Sequence, residues 1–245
     1  MTLVISIPTR NALVLASDSQ ITMGGVRTIG KKIRGLNEHC AWGAAGELAL
    51  IQRVEESISS NPASSQPLGS QRDALSTTIK NCMTALLQLD FRTQFMGNNP
   101  DALLALHQGD FIFAECRSSP VTLHVTLNGT PEWISRPYAI GSGAPFAYAL
   151  LQKYADRDLS VDQASVLAHK VIEEAILVAA YGLGLPVCIW HITSIGAVEL
   201  DSPRIAAIAD AASALREDEI RMLENMTDVS EPAEVIPVDP AIPRP

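Results

Sequence analysis

The first apolar runs of the chain are short. Leu3–Ile7 and Ala12–Ala16 are mostly β-prone and are joined by Pro8-Thr9-Arg10-Asn11, which has turn chemistry, so the sequence opens on a predicted hairpin. Gly24, Gly25 and Gly30 punctuate the next stretch. Lys31-Lys32-Ile33-Arg34-Gly35-Leu36 then leads to Cys40–Ala45, a strand-like run of small residues ending at Gly46. There the period changes. Leu48, Ile51, Val54 and Ile58 recur at three- and four-residue steps, which predicts a helix with one buried stripe. Residues 59–70, rich in Ser, Pro, Asn and Gly, predict a loop, and Leu75, Ile79, Met83, Leu86 and Leu87 mark a second helix.

Strand-like runs return at Leu103–Leu106, Phe111–Glu115, Val121–Leu127 and Tyr138–Ile140, with turns at Gln108-Gly109-Asp110 and Asn128-Gly129. Gly141-Ser142-Gly143-Ala144-Pro145 precedes a helix from about Phe146. Ser160-Val161-Asp162-Gln163 has the form of a capping box and opens a long helix to about Ala180. Pro186–Thr193 and Ala197–Leu200 read as closing strands, and Ser202 to about Met226 as a last helix. Blocks of strands alternating with helices, without βαβ units, predict an α+β fold. Two antiparallel sheets pack together with helices on both outer faces. One domain is expected over residues 2–226, and a disordered, acidic, proline-rich tail over residues 227–245.

Composition narrows the function. The 245 residues can bury one substantial core, and 47% are apolar. No apolar run approaches the roughly 18 residues that span a bilayer, and the start has no signal-peptide pattern. The net charge of -9 argues against a nucleic-acid surface and has the wrong sign for anionic lipid. Cys40, Cys82, Cys116 and Cys188 form neither a paired-thiol motif nor a metal spacing, as expected of reduced core residues in the cytoplasm. His39, His107, His124, His169 and His191 are dispersed and make no metal set. Trp42, Trp133 and Trp190 are expected in the core or at subunit contacts, and Glu173-Glu174 on a solvated helix face or at a ring contact.

A few positions could carry chemistry. Thr2, once Met1 is removed, would hold a hydroxyl and a free amine on one residue. That amine, with an ordinary pKa of about 7.7–8, can act as base for its own hydroxyl. Otherwise Thr2 is an ordinary chain start. Asp18, in Ala16-Ser17-Asp18-Ser19-Gln20, ends the second hairpin strand and so returns beside Thr2, unless it is only a turn aspartate. Lys32 could be a buried ammonium tuning Thr2 with Asp18 as its counter-ion, Lys31 taking the solvent role; the alternative is two solvated lysines. Gly46, between strand and helix, could offer its N–H to an oxyanion, or merely make a tight turn. Gly141-Ser142-Gly143 could bring a hydroxyl and backbone donors to a site, or be a plain loop.

The joint order of these motifs carries more than any one of them. Thr2, Ala-Ser-Asp-Ser-Gln at 16–20, Thr22-Met23, Lys31-Lys32-Ile33, Ala44-Ala45-Gly46 and Ala139-Ile140-Gly141-Ser142-Gly143-Ala144-Pro145-Phe146 together resemble the proteasome β-subunit family over roughly residues 2–200. Asp18-Ser19-Gln20-Ile21-Thr22, Lys31-Lys32-Ile33-Arg34 and Ile140 to Pro145 look especially like the bacterial HslV-type peptidase. The resemblance implies a four-layer αββα sandwich of the N-terminal-nucleophile type and threonine endopeptidase activity on unfolded polypeptides. It also implies a homo-oligomeric double ring of hexameric or heptameric rings, a hexameric ATPase unfoldase as partner, and no cofactor. Thr2 is then the nucleophile, Lys32 and Asp18 the charge pair, Gly46 the oxyanion donor and Ser142 the neighbour of the amine. Ile21, Ala44 and Leu48 match positions lining the pocket for the residue before the scissile bond. The sequence departs from true proteasome β-subunits at Val178-Ala179-Ala180-Tyr181, apolar where they carry an aspartate that HslV-type chains also lack. The stretch from Tyr181 to His191 follows neither branch closely. Two other readings stay open: a structural ring subunit without turnover, and a stand-alone N-terminal-nucleophile amidase on a small substrate.

Overall fold

A computed structural model describes residues 2–226 except 24, 98, 100, 103–105, 127, 180 and 181. Its strands are β1 (Val4–Pro8), β2 (Ala12–Ser17), β3 (Gln20–Met23), β4 (Val26–Ile29), β5 (Ile33–Asn37), β6 (Cys40–Gly46), β7 (Gly109–Cys116), β8 (Pro120–Thr126), β9 (Pro131–Ile134), β10 (Tyr138–Ile140), β11 (Cys188–Thr193) and β12 (Ala197–Glu199). Its helices are α1 (Leu48–Ser59), α2 (Leu68–Leu89), α3 (Thr93–Met96), α4 (Ala144–Leu151), α5 (Val161–Ala179) and α6 (Ser202–Glu224).

The strands form two five-stranded antiparallel sheets, in the orders β10-β1-β2-β11-β12 and β5-β6-β7-β8-β9, while β3 and β4 make a separate hairpin. Period-two alternation sorts the side chains of each strand. Leu3, Ile5, Ile7, Val14 and Ala16 face Ala147, Leu151, Ala168, Val171 and Ile172 of α4 and α5. Their neighbours Val4, Leu13 and Leu15 point the other way, into an apolar layer shared with Ala41, Ala45, Ile112 and Ala114 of the second sheet. The opposite face of that second sheet, with Trp42, Phe111, Phe113, Leu123 and Val125, packs on Leu50, Val54, Leu75 and Ile79 of α1 and α2. Each large side chain buried this way contributes about 1.5–3 kcal/mol.

The predicted hairpin forms with Val4 opposite Ser17 and Ile7 opposite Val14. The capping box is also reciprocal: the Gln163 N–H donates to Ser160 Oγ at 3.2 Å, and the Ser160 N–H to Gln163 Oε1 at 2.9 Å. Other expectations need correction. The strand expected at Leu103–Leu106 does not form at its described end, where Leu106 is helical; residues 103–105 lie outside the described residues, as does the predicted tail at 227–245. The loop predicted over 59–70 holds a short 3-10 turn at Pro62–Ser65 and the first residues of α2. The hairpin β3–β4 and the edge strands β5 and β9 are additions. Their outward or half-buried residues carry no alternating signal, as the exposure of Val26 and Ile29 illustrates.

Trp42 is buried, but Trp133 lies on the surface of the chain. Glu173 and Glu174 are half-buried and ion-paired. Arg216 Nη2 is 2.9 Å from Glu173, and Lys170 Nζ is 2.7 Å from Glu174 within α5 and 2.9 Å from Glu219, so the Arg216–Glu173 and Lys170–Glu219 pairs clamp α6 onto α5. Among the described residues no helix is long and apolar enough to cross a membrane.

Candidate active site

The site is built where the first sheet meets the entry to α1. Antiparallel pairing returns the end of β2 to the chain start, and the Asp18 N–H donates to the Leu3 carbonyl at 3.3 Å. The Asp18 carboxylate is fully buried and saturated with donors. Its Oδ1 accepts the Leu3 N–H at 2.9 Å and Lys32 Nζ at 2.7 Å, and its Oδ2 accepts the N–H groups of Gln20 at 3.2 Å and Gly184 at 3.1 Å. One carboxylate thereby ties the chain start, the turn into β3, the loop before β11 and Lys32 together. A buried ion pair is tolerated when its remaining hydrogen-bonding capacity is filled in this way.

Lys32, between β4 and β5, is only 6% exposed. Burial pushes its ammonium below the ordinary lysine value, and the charge and hydrogen bond of Asp18 oppose that shift. Lys31 turns outward instead, with Nζ 2.8 Å from Glu199, which raises its pKa through that hydrogen bond and charge. The division of roles between the two lysines is the one expected from the sequence.

Thr2 is buried, and its main-chain N–H donates to Ser142 Oγ at 3.2 Å. Its carbonyl accepts the Gly143 N–H at 3.3 Å. Gly141 makes this docking possible. Its φ is +95°, and a Cβ there would lie 2.1 Å from the Thr2 carbonyl oxygen. Gly46 is constrained likewise, with φ +136° and an added Cβ 2.1 Å from the Gln108 carbonyl oxygen. Gly46 is the last residue of β6, and α1 starts only at Leu48.

Two cavities meet at Thr2. The smaller, about 270 Å³, is lined by Thr2, Lys32, Gly46 and by Ile21, Ala44 and Leu48. The larger, about 600 Å³, is lined by Thr2, Gly46, Gly141 and Ser142 on one side and by Gln108, Gly109 and Asp110 on the other. All eight residues singled out in the sequence for catalysis or substrate binding thus come together, Asp18 through Lys32 and the others at the cavity walls. Sequence reasoning missed Gly184, Glu47 and Asp110. Gly184 acts through its backbone, which leaves no side-chain signal. Glu47 lines both cavities, and its one available sign was an acid beside Gly46 at a helix start. Among the described residues no group of three His, Cys, Asp or Glu side chains could hold a metal ion.

This arrangement of strands and helices is the fold seen in solved structures of Anbu, one of which is described as an ancestral β-subunit. The solved structures that share it include Anbu from Yersinia bercovieri, described as an ancestral β-subunit. It superposes with a TM-score of 0.73 at 14% identity, covering 93% of this chain and 99% of that one. Anbu from Hyphomicrobium sp. strain MC1 superposes with a TM-score of 0.70 at 12% identity, covering 93% of this chain and 99% of that one. A Gly-1 mutant of the same protein gives 0.70 at 13% identity, over 94% and 100%. No protein-family model matches the sequence, and no curated protein matches it.

Proposed function

We propose that the chain is the threonine-type endopeptidase subunit of a self-compartmentalising, proteasome-like double ring, with the four-layer αββα architecture of N-terminal-nucleophile hydrolases. The observation that carries this reading is the buried Lys32–Asp18 pair on the wall of a cavity shared with Thr2. A buried ammonium costs several kcal/mol to desolvate, so its placement in the wall of the same cavity as Thr2 calls for a use.

Removal of residue 1 converts the Thr2 main-chain nitrogen into an amine next to Ser142 Oγ. That amine takes the proton of the Thr2 hydroxyl as the oxygen attacks a peptide carbonyl. Lys32 lowers the pKa of both groups by its positive charge, and Asp18 holds Lys32 in place. The Gly46 N–H receives the developing oxyanion. The proton passes to the leaving amine, an acyl ester remains on Thr2, and water hydrolyses it. Ile21, Ala44 and Leu48 take the side chain before the scissile bond. Every step uses groups of the chain itself. A homo-oligomeric ring in the cytoplasm, hexameric or heptameric, would restrict access to unfolded polypeptides, and a hexameric ATPase unfoldase would supply them.

Native and intact mass spectrometry before and after treatment with a peptide epoxyketone tests this. Such a warhead reacts with a hydroxyl and an amine together. The expected result is loss of residue 1, a multi-subunit particle and one adduct per chain on Thr2, absent in Thr2→Ala. A chain that keeps Met1 and forms rings without an adduct is a structural subunit, and a labelled monomer is a stand-alone amidase. Either result overturns the proposal.

A further inference from the structure

The two cavities that meet at Thr2 differ in charge. The smaller is lined by Lys31, Lys32 and Arg34, and each of these cations has a carboxylate partner. Lys31 Nζ lies 2.8 Å from Glu199, Lys32 Nζ 2.7 Å from Asp18, and Arg34 Nε 2.7 Å from Glu55. Among the described residues, the charged side chains lining the larger cavity are Glu47 and Asp110, both acidic. Each is held by a buried imidazole. Glu47 Oε2 meets His107 Nδ1, and Asp110 Oδ1 lies 3.2 Å from His124 Nε2. The far nitrogen of each ring also faces a polar group. His107 Nε2 lies 3.4 Å from Asp90, which Arg92 pairs, and His124 Nδ1 lies 3.1 Å from the Tyr138 hydroxyl. Each cation of the smaller cavity is thus paired with a carboxylate, and the two carboxylates of the larger cavity are oriented by imidazoles.

We propose that the larger cavity is the subsite for the residue just after the scissile bond, and that Glu47 and Asp110 make it select lysine or arginine. The inference rests on the peptidase reading above. With the preceding side chain in the smaller cavity beside Ala44 and Leu48, the polypeptide beyond the scissile bond leaves on the opposite side of Thr2, past Gly141 and Ser142. A volume of about 600 Å³ accommodates a long side chain with its backbone. Leu106 offers the aliphatic stem a surface, and the two carboxylates meet its charged end. Glu47 lines both cavities, so it stands at the boundary where the two sides are told apart.

The test uses the full, mature protein and two internally quenched peptides that differ only in having Lys or Glu after the mapped cleavage site. The expected kcat/KM favours the Lys peptide by about tenfold at low salt, and the gap narrows as salt is raised. Glu47→Gln and Asp110→Asn each shrink the ratio, and together they bring it near one. Protection of Thr2 from the epoxyketone by each peptide gives the same comparison without turnover. Equal use of the two peptides by the unmodified protein, or a preference for Glu, overturns the subsite while Thr2 still takes the label. If neither peptide is cut and no adduct forms on Thr2, the peptidase reading falls, and the subsite with it.

Discussion

Lys32 Nζ lies 2.7 Å from Asp18 Oδ1 in a site where both side chains are almost wholly out of water, 5% and 0% exposed. The two partners are not equivalent. Asp18 also receives backbone N–H groups from Leu3, Gln20 and Gly184, whereas Lys32 reaches the site from a single segment. Removing one partner of a buried pair costs about 3–5 kcal/mol, because the other charge stays behind. Asp18→Asn should sit at the upper end, since its new NH₂ group also faces a backbone donor. Lys32→Met should sit below it, because three backbone donors still serve the carboxylate. Thermal unfolding checks the order, with Asp18→Asn melting lower. Both variants should lose epoxyketone labelling, and labelling retained in folded Lys32→Met would remove the lysine from the mechanism.

Gly141 and Gly46 provide a second comparison. Both have positive φ, and both have a backbone carbonyl 2.1 Å from where a Cβ would lie. The carbonyl facing Gly141 belongs to Thr2, and the one facing Gly46 belongs to Gln108. Gly141→Ala must therefore push the nucleophile, while Gly46→Ala must push the start of β7. Each should cost about 1–3 kcal/mol in stability. The labelling rate should fall further for Gly141→Ala than the loss of folded protein explains, as read by rate per folded molecule. Equal labelling per folded molecule in Gly141→Ala and the unmodified chain would refute this account.

The features legible in the sequence are those with local signatures. The β1–β2 hairpin showed through its two apolar runs and its turn, and α1 through the stripe Leu48, Ile51, Val54 and Ile58, of which Ile51, Val54 and Ile58 are buried together with Leu50, while Leu48 is half-buried and lines the smaller cavity. Thr2, Asp18 and Lys32 were separable from background only jointly, because a hairpin returns Asp18 to the chain start and only one of two adjacent lysines can point inward. The features that stayed hidden are long-range. The Gly184 N–H reaches Asp18 across 166 residues through the backbone. The buried histidines His107 and His124 looked dispersed because their acidic partners lie on other strands or loops. Glu173 and Glu174 looked solvated because Arg216 and Lys170 approach them from a different helix or a different turn. The strand expected at Leu103–Leu106 is described only at Leu106, which is helical: a short apolar run does not by itself distinguish strand from helix.

The smaller cavity owes its room to Ala44. Ile21 and Leu48 flank this residue, and a larger side chain there would project into about 270 Å³ of space. Ala44→Phe should cut kcat/KM for peptides with leucine or phenylalanine before the scissile bond by about tenfold or more, while alanine at that position is affected far less. The measurement is the ratio of the two rates on matched peptides. A uniform fall for all peptides would indicate damage to Thr2 or Gly46 instead of a filled pocket.

The depressed pKa of Lys32 makes stability and activity respond oppositely to alkali. Its folded value lies below the roughly 10.4 of an unperturbed lysine, with desolvation as the main cause. Folding therefore disfavours the charged form. That cost acts in full below the folded pKa and is gone above the unfolded one, so the contribution of this group to stability rises with pH between the two. The chemistry needs the ammonium, which disappears over the same interval. The Tm difference between the unmodified protein and Lys32→Met should shift in favour of the unmodified protein as the pH climbs through this window. Over the same range the rate of Thr2 labelling should fall, starting at a lower pH than an ordinary lysine would give. A labelling rate that holds level up to the ordinary lysine pKa would mean that the charge on Lys32 does not assist attack.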